Sequence, residues 1–247
     1  MLSLIRDSID SLLFPRRCAS CRLNQIVATD GLSCSNCWNQ TQIFDGTEAL
    51  CRKCGIVLGL RSANETIGCW QCDGHDYDTA RACGIYSFAL AAAVIELKTT
   101  PVLSYRVRRI LSEATASIAY NSYDLVVPVP LSKRRRLERG HNQAEVMGEL
   151  VSKVLGVPMD GNSLQRTTHS PMHRLGMDKK ARELSVKNAF GIVRPKLIHA
   201  KRILLVDDVY TTGATVSHCA KALKKHGAVG VDVLTIARAA PLNQVSE

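Results

Sequence analysis

The segment ILLVDDVYTTGAT, residues 203–215, decides the fold of this 247-residue chain. Four apolar residues lead directly into two adjacent aspartates, Asp207 and Asp208, and a hydroxyl-rich turn follows before a helical pattern begins at Val216. An apolar run of this kind is typical of a buried parallel strand. Because ligands of open α/β sheets bind at the carboxyl ends of the strands, we expect the two carboxylates to border a binding site.

The turn after this strand has the composition of an anion site. Its residues are Thr211, Thr212, Gly213, Ala214 and Thr215. They would place backbone N–H groups and hydroxyls around a phosphate at the start of a helix, while the aspartates, which point to different faces of the sheet, would hold sugar hydroxyls. The segment therefore predicts a site for a ribose 5-phosphate. No Walker A pattern occurs, and an acidic strand end with a threonine N-cap explains only part of the segment.

Strands alternate with helices on both sides of this segment. Residues 84–98, GIYSFALAAAVIELK, read as a strand followed by a helix, and a further helix is predicted in SYRVRRILSEATASIAY. DLVVPVP, residues 124–130, reads as a buried strand with its exit loop, and NQAEVMGELVSKVLG as a helix closed by Gly156. KNAFGIV and VGVDVLTIARA are further strands, with the helix TVSHCAKALKKHGA before the latter. This alternation predicts an α/β fold with a doubly wound parallel sheet.

The cysteines form a separate pattern at the other end of the chain. Four C-x-x-C pairs account for eight of the ten: Cys18 and Cys21, Cys34 and Cys37, Cys51 and Cys54, and Cys69 and Cys72. Two pairs supply the four thiolates of a closed tetrahedral zinc site, so we predict two structural zinc ions. The spacing favours zinc ribbons built from sequential pairs, with an interleaved arrangement as the alternative. A disulfide scaffold is disfavoured because the N-terminus lacks the apolar core of a signal peptide, and a redox motif because no βαβ pattern surrounds the pairs.

Charge and cysteine content divide the chain at the same place. Residues 1–83 carry 8 Lys+Arg and 9 Asp+Glu, whereas residues 84–247 carry 24 and 13. We predict an N-terminal helix with a double zinc ribbon over residues 1–83 and a basic α/β domain over residues 84–247. The basic domain favours a polyanionic or phosphorylated partner. No window reaches the roughly 18 apolar residues of a membrane span, so we expect a cytoplasmic protein.

The motifs are similar to those of type I phosphoribosyltransferases. ILLVDDVYTTGAT closely resembles their motif for binding phosphoribosyl pyrophosphate (PRPP), and VVPVPLSKRRRLERGHNQA resembles the loop beside the pyrophosphate. The R-G-x-N-Q portion and the preceding cysteine pairs resemble the ComF family, which is associated with natural competence. The resemblance extends from Cys18 to about Ala239. It implies a type I phosphoribosyltransferase-like sheet that binds PRPP together with Mg²⁺.

The resemblance also assigns roles to individual residues. Asp207 and Asp208 would hold the ribose hydroxyls, act indirectly on Mg²⁺ and serve as the catalytic residues, with Tyr210 flanking them. Residues 211–215 would hold the 5′-phosphate. The residues that would line the pyrophosphate or support its loop are Pro130, Leu131, Ser132, Lys133, Arg139, Gly140, Asn142 and Gln143.

One segment departs from the family pattern. HSPMHRLGMDKKARELSVKNAF, residues 169–190, is expected to form a hood over the site. It retains Arg182, Ala189 and Phe190 but has Ser185 where relatives have asparagine. Nothing in it identifies a nucleobase.

The basic cluster KRRRLER, residues 133–139, admits three interpretations. It is a solvated helix face, a clamp for pyrophosphate, or part of a track for single-stranded DNA. Four further basic residues would extend such a track: Lys98, Arg106, Arg108 and Arg109. Few aromatic residues interleave with the cluster, so base stacking is weakly supported.

Two classes of function follow from these motifs. In the first, a phosphoribosyltransferase-like protein binds PRPP and Mg²⁺ and acts in DNA uptake or in the use of imported DNA, with nucleobase salvage as an alternative. In the second, the PRPP pocket is a sensor or a relic, and the protein binds single-stranded DNA and competence or DNA-processing proteins without catalysis. The motifs fit both classes.

Overall fold

The computed structural model describes residues 16–26, 30–58, 69, 72–167 and 189–240. The predicted N-terminal helix and residues 169–188 of the predicted hood lie outside them. The helices are α1 Ser35–Gln40, α2 Phe88–Leu97, α3 Tyr105–Ile118, α4 Lys133–Arg139, α5 Gln143–Leu155, α6 Pro195–Ile198 and α7 Ala214–Lys225, with a 3₁₀ turn at Ala119–Asn121. The strands are β1 Ala80–Ala82, β2 Leu125–Pro128, β3 Leu164–Arg166, β4 Phe190–Ile192, β5 Arg202–Tyr210 and β6 Gly230–Arg238.

Four strands form one parallel sheet in the order β1-β6-β5-β2. β5 lies inside it, with Leu205 opposite Val233 of β6 and Val127 of β2. Strands β3 and β4 form a separate antiparallel pair. The strand expected at residues 84–87 is reduced to isolated bridges at Gly84 and Ile85, because the edge strand lies earlier, at β1.

Helices cover both faces of the parallel sheet. On one face, residues of α2, α3 and α5 pack with Leu204 and Val206 of β5. On the other face, α7 packs with Ile203 and Leu205, the alternate residues of the same strand. Each fully buried leucine or valine contributes about 1.5–3 kcal/mol relative to an exposed one, so this alternation sets the register of β5 firmly. The predicted doubly wound parallel sheet is confirmed.

The cysteine-rich segment divides between two cores. Cys18, Cys34 and Cys37 form a small core of their own with Ile26. Three cysteines of the second group, Cys51, Cys54 and Cys72, belong instead to the core on the α7 face of the sheet. The second ribbon therefore shares a core with the sheet, although charge and cysteine content assign the two to different domains. Moreover, β1 precedes residue 84, so the sheet takes its edge strand from the segment that composition assigned to the ribbons.

Helix α5 begins and ends at signals visible in the sequence. The Asn142 side chain accepts a hydrogen bond of 3.1 Å from the backbone N–H of Ala144, and the helix closes at Gly156 with a φ of +68°. The start of α5 lies beside the end of β2, because Asn142 Nδ2 also donates to the carbonyl oxygen of Val129 at 3.0 Å. Within the described residues, no helix is both long and apolar enough to cross a membrane.

Candidate functional site

The first group of cysteines has the geometry of a metal centre. The four sulfur atoms of Cys18, Cys21, Cys34 and Cys37 all lie within 4.8 Å of one another. The sulfurs of Cys18 and Cys37 are 3.7 Å apart, and those of Cys21 and Cys34 are 3.9 Å apart. Four sulfurs at about 2.3 Å from a tetrahedral zinc ion are about 3.8 Å from each other, so the group fits structural zinc.

The second group has the same arrangement. The sulfurs of Cys51, Cys54, Cys69 and Cys72 also lie within 4.8 Å of one another, and those of Cys51 and Cys72 are 3.8 Å apart. Both groups consist of sequential pairs, so the ribbon pairing is confirmed and the interleaved alternative is wrong. Each centre has four protein ligands and leaves no open position for catalysis.

Backbone hydrogen bonds favour the thiolate form that zinc requires. Burial raises the pKa of the Cys18 thiol, but the backbone N–H groups of Cys21 and Cys34 outweigh it and lower the pKa to about 6. At Cys51, burial is likewise outweighed by backbone N–H groups, first that of Cys54, and the pKa falls to about 6. At least one sulfur of each group is therefore easily ionised, whereas burial raises the pKa of Cys37 in the first group and of Cys54 and Cys72 in the second, so metal binding must displace protons there.

The two remaining cysteines lie away from these centres. Cys83 and Cys219 are buried, at 1% and 0% exposure. Burial raises the pKa of the Cys83 thiol to about 12, and it also raises the pKa of Cys219. Both behave as the small apolar residues that the sequence predicted.

The adjacent aspartates lie near the carboxyl end of β5. On the α5 face, Gln143 Nε2 donates a 3.2 Å hydrogen bond to Asp208 Oδ2, and Lys98 Nζ lies 3.9 Å from the same oxygen. Asp207 Oδ1 accepts a 2.9 Å hydrogen bond from the backbone N–H of Asp208. Burial, together with the negative charge of Asp208, raises the pKa of Asp207 to about 8. Two carboxylates in this electrostatic situation favour a cationic or hydroxyl-bearing ligand.

The R-G-x-N-Q residues connect the loop after β2 to these aspartates. Asn142 Nδ2 donates to the carbonyl oxygen of Val129 at 3.0 Å, which holds the start of the loop against α5. Arg139 Nη1 donates to Gln143 Oε1 at 3.0 Å, and Gln143 in turn reaches Asp208. His141 contacts the carbonyl oxygen of Leu97 at 2.8 Å and so ties the loop to α2. Of the loop residues, Pro130, Leu131 and Ser132 are half-buried and Lys133 is exposed.

Lys98 has a different place from the one expected. The sequence assigned it to a DNA track, whereas the structure places it at the end of α2 beside Asp208. Lys98 therefore lies beside the aspartate pair, and its part in a DNA track stays a prediction. Helix periodicity shows that the residue lies at a helix end but not which strand that end meets.

The turn after β5 is open to a ligand. Thr211, Thr212, Ala214 and Thr215 are exposed, and Gly213 is buried as the N-cap of α7 with a φ of +79°. Within the described part of the chain, the backbone N–H groups of residues 211–213 make no hydrogen bond. Free N–H groups at the start of a twelve-residue helix are suited to holding an anion.

A group of side chains that the sequence did not indicate lies beneath this turn. The Tyr77 hydroxyl lies 2.6 Å from the Tyr210 hydroxyl and 2.8 Å from His75 Nδ1. Gly213 packs against this group, because a Cβ there would lie 2.8 Å from His75 Cε1 and would also collide with the Tyr210 hydroxyl. The two tyrosines are 133 positions apart, so no local pattern could have paired them.

The basic cluster forms helix α4, which has no buried residue. Arg134 pairs with Glu138 at 2.6 Å, and Arg136 pairs with Glu145 at 2.6 Å. Lys133 makes no ion pair within the described residues. The surface thus combines neutralised and free cations.

The proposed extension of this cluster along α3 is also altered. Arg106 pairs with Asp30 at 3.1 Å and stacks over Trp38 at 4.6 Å, so it joins the first ribbon to α3. Arg109 pairs with Glu113, and Arg108 is exposed. Arg106 is therefore a structural residue, which corrects its assignment to a DNA track.

Comparison with known proteins identifies the family. The family model described as a double zinc ribbon domain matches residues 9–73. Competence protein F of Haemophilus influenzae is 31% identical over 238 residues, which cover 92% of this chain and 98% of that protein. The chain belongs to the ComF family. The DNA utilization protein YhgH of Escherichia coli is 28% identical, and the matched region covers 92% of this chain and 99% of YhgH.

Solved structures with a similar backbone arrangement include phosphoribosyltransferases. The glutamine PRPP amidotransferase of B. subtilis matches at a TM-score of 0.41 and 17% identity, over 58% of this chain and 30% of that one. The purine phosphoribosyltransferase of Pyrococcus horikoshii matches at 0.38 and 16%, over 55% and 85%. With TM-scores below 0.5, these likenesses support no inference about the function of this ComF-family protein.

Proposed function

We propose that this protein binds PRPP with Mg²⁺ at the carboxyl end of β5 and acts in the uptake or use of DNA. The observation that carries the proposal is that the loop after β2, helix α5 and the turn at residues 211–215 all meet at one pair of carboxylates. Asp207 and Asp208 lie between the loop that follows β2 and the open turn at residues 211–215, and Gln143 links the loop to Asp208 at 3.2 Å. The names of the relatives, a competence protein and a DNA utilization protein, support the biological setting.

The chemistry of the site suits each part of PRPP. The carboxylates of Asp207 and Asp208 would accept hydrogen bonds from the ribose hydroxyls. The free N–H groups of the turn would hold the 5′-phosphate, and residues 130–133 would lie along the pyrophosphate. Asp207 and Asp208 also suit Mg²⁺, because carboxylates are its usual protein ligands and the raised pKa of Asp207 reflects burial and the negative charge of Asp208. Mg²⁺ would supply positive charge to the pyrophosphate leaving group.

The experiment is isothermal calorimetry with PRPP and Mg²⁺. The variant Asp207→Ala/Asp208→Ala should lose PRPP binding while its circular dichroism and thermal unfolding remain those of a folded protein, because both residues lie near the end of a strand and are partly exposed. Glu113→Ala, which removes an exposed carboxylate on α3, is the matched control and should bind normally. Wild-type affinity in the double aspartate variant would refute the assignment.

Turnover is tested separately from binding. Loss of pyrophosphate from PRPP would be catalysed by groups that stabilise an oxocarbenium-like ribose and the departing charge. Pyrophosphate release should be measured with a panel of nucleobases, with and without single-stranded DNA. Tight binding of PRPP without release under any condition would favour the sensory function over the enzymatic one.

The exposed helix α4 supports a second element of the proposal, contact with single-stranded DNA. Lys133 and Arg135 lie on a helix with no buried residue, so their charges are accessible to a phosphate backbone. Replacing both by alanine should weaken binding for every DNA sequence and should flatten the plot of log affinity against log salt by about 1.4, at about 0.7 per phosphate contact. Arg109→Ala, with its cation already paired, is the control. An unchanged slope would indicate that α4 is a solvated helix face that does not contact DNA.

A further inference from the structure

The segment that leaves the second cysteine group passes directly under the open turn. His75, three residues after Cys72, contacts the Tyr77 hydroxyl, and the Tyr77 hydroxyl contacts that of Tyr210. Tyr210 is the last residue of β5 and immediately precedes the turn. Because Gly213 rests on both Tyr210 and His75 without space for a Cβ, the position of the turn depends on these side chains.

The same segment also holds the first turns of α7. The backbone N–H of Asp76 donates to Ser217 Oγ at 3.0 Å, and Ser217 Oγ donates to Asp76 Oδ2 at 3.2 Å. Ser217 is buried and lies one helical turn after Gly213. The segment therefore supports both ends of the open turn, at Tyr210 before it and at Ser217 after it.

A buried arginine forms a second connection between the metal centre and Tyr210. Arg238 is only 4% exposed, donates from Nη1 to the carbonyl oxygen of Cys54 at 2.6 Å, and stacks 5.0 Å from the Tyr210 ring. Its Nε makes no hydrogen bond. No carboxylate lies within ion-pair distance of Arg238 in the described part of the chain. A buried cation without a counter-charge is costly, so the charge must be compensated nearby.

The second metal centre supplies that compensation. Four thiolates around one divalent ion carry a net charge of about −2, and Cys54, one of the four, is the residue whose carbonyl Arg238 contacts. Arg238 thus lies beside a centre that carries a net negative charge when zinc is bound. The first cysteine group, which has its own small core, has no comparable link to the turn among the described residues.

We infer that the second zinc centre positions the turn that holds the 5′-phosphate, acting through Arg238, Tyr77 and Tyr210. This inference rests on the proposed PRPP site and adds a dependence of one half of that site on one of the two metals. The pyrophosphate half is held differently, by Asn142 on Val129 and by Gln143 on Asp208. Disturbing the tyrosine pair should therefore affect ribose phosphate binding and leave pyrophosphate binding in place.

The test is Tyr77→Phe in the full chain, with ribose 5-phosphate and inorganic pyrophosphate as separate calorimetric probes. The variant loses the hydroxyl on which Tyr210 and His75 converge, so the dissociation constant for ribose 5-phosphate should rise about five- to tenfold, the effect of one buried hydrogen bond. Pyrophosphate affinity should stay within about twofold and zinc content should not change. Tyr105→Phe, 68% exposed on α3, is the matched control and should alter neither affinity.

A second pair of variants tests the first metal centre and the Arg238 contact separately. Cys21→Ser should release the first zinc and leave ribose 5-phosphate affinity within about twofold, because its core is separate. Arg238→Lys keeps the charge but loses the planar group that contacts both Cys54 and Tyr210. It should weaken the binding of ribose 5-phosphate as much as Tyr77→Phe does.

The outcomes separate this inference from the proposed function. If the wild-type protein binds neither PRPP nor ribose 5-phosphate, both the proposed function and the positioning role are wrong. If it binds PRPP but Tyr77→Phe and Arg238→Lys bind ribose 5-phosphate normally, only the positioning role is overturned. Equal weakening for both probes, or weakening by Cys21→Ser, would indicate a general loss of structure and would also overturn it.

Discussion

Replacing Gly213 by alanine should lower the free energy of unfolding more than the same change at a glycine whose turn has space for a Cβ. The φ of Gly213 is +79°, a conformation that costs an L-residue about 1–2 kcal/mol. The added Cβ would lie 2.8 Å from His75 Cε1 and would collide with the Tyr210 hydroxyl, and overpacking of this kind costs about 1–3 kcal/mol. The lower entropy of the unfolded alanine chain offsets about 0.4–1 kcal/mol. We expect a net loss of about 2–4 kcal/mol in the free energy of unfolding.

Comparison with Gly156→Ala isolates the contribution of packing at Gly213. Gly156 has a φ of +68°, and no heavy atom lies within 4 Å of the position that its Cβ would take, so alanine there meets the backbone strain alone. Its loss should be about 0.5–1.5 kcal/mol. Urea unfolding of both variants gives the difference, and calorimetry with PRPP should show weakened binding only for Gly213→Ala. Equal stabilities and equal PRPP affinities would show that the turn does not rest on His75 and Tyr210.

Three further predictions follow from the metal centres and the aspartates. Metal analysis of reduced protein should find about two zinc ions per chain, and one or none would contradict the double ribbon. Cys51→Ser should lower the urea midpoint of the α/β sheet, whereas Cys18→Ser should not, because only Cys51 lies in the core of the sheet; equal midpoints would count against the shared core. The pKa of Asp207 rises from 3.8 to about 8 on folding, so the folded state retains a proton that the unfolded state releases. Wild-type stability should therefore fall as pH rises between about 4 and 8, and Asp207→Asn should flatten that fall in urea unfolding at pH 5 and pH 8.

Much of the fold was predictable from local sequence patterns. The β5 segment is apolar on both faces because it is buried on both faces, and that pattern is visible without any structure. Helices α5 and α7 follow from apolar spacing and from their terminal residues. The zinc ligands were equally visible, since a C-x-x-C turn places two sulfurs on one short loop and the nearest following pair completes the tetrahedron.

The candidate site was predictable only in its motif residues. Asp207, Asp208 and the turn follow one another in the chain, so their proximity is a property of a single strand and its exit. Lys98 and Gln143 were harder to place, because their distance from Asp208 depends on how α2 and α5 pack on the sheet. For Lys98, the basic composition of its surroundings suggested a different partner.

The amino-acid sequence by itself determined the buried strands β2, β5 and β6, the two cysteine groups and the paired carboxylates, because each is encoded by residues close together in the chain. Only the tertiary structure decided that the second ribbon shares the core of the sheet and supports the turn. That arrangement depends on contacts such as Arg238 to Cys54 and Tyr77 to Tyr210, which join residues 184 and 133 positions apart. Packing, hydrogen bonding and the compensation of a buried charge select such pairs, and these act only once the chain has folded.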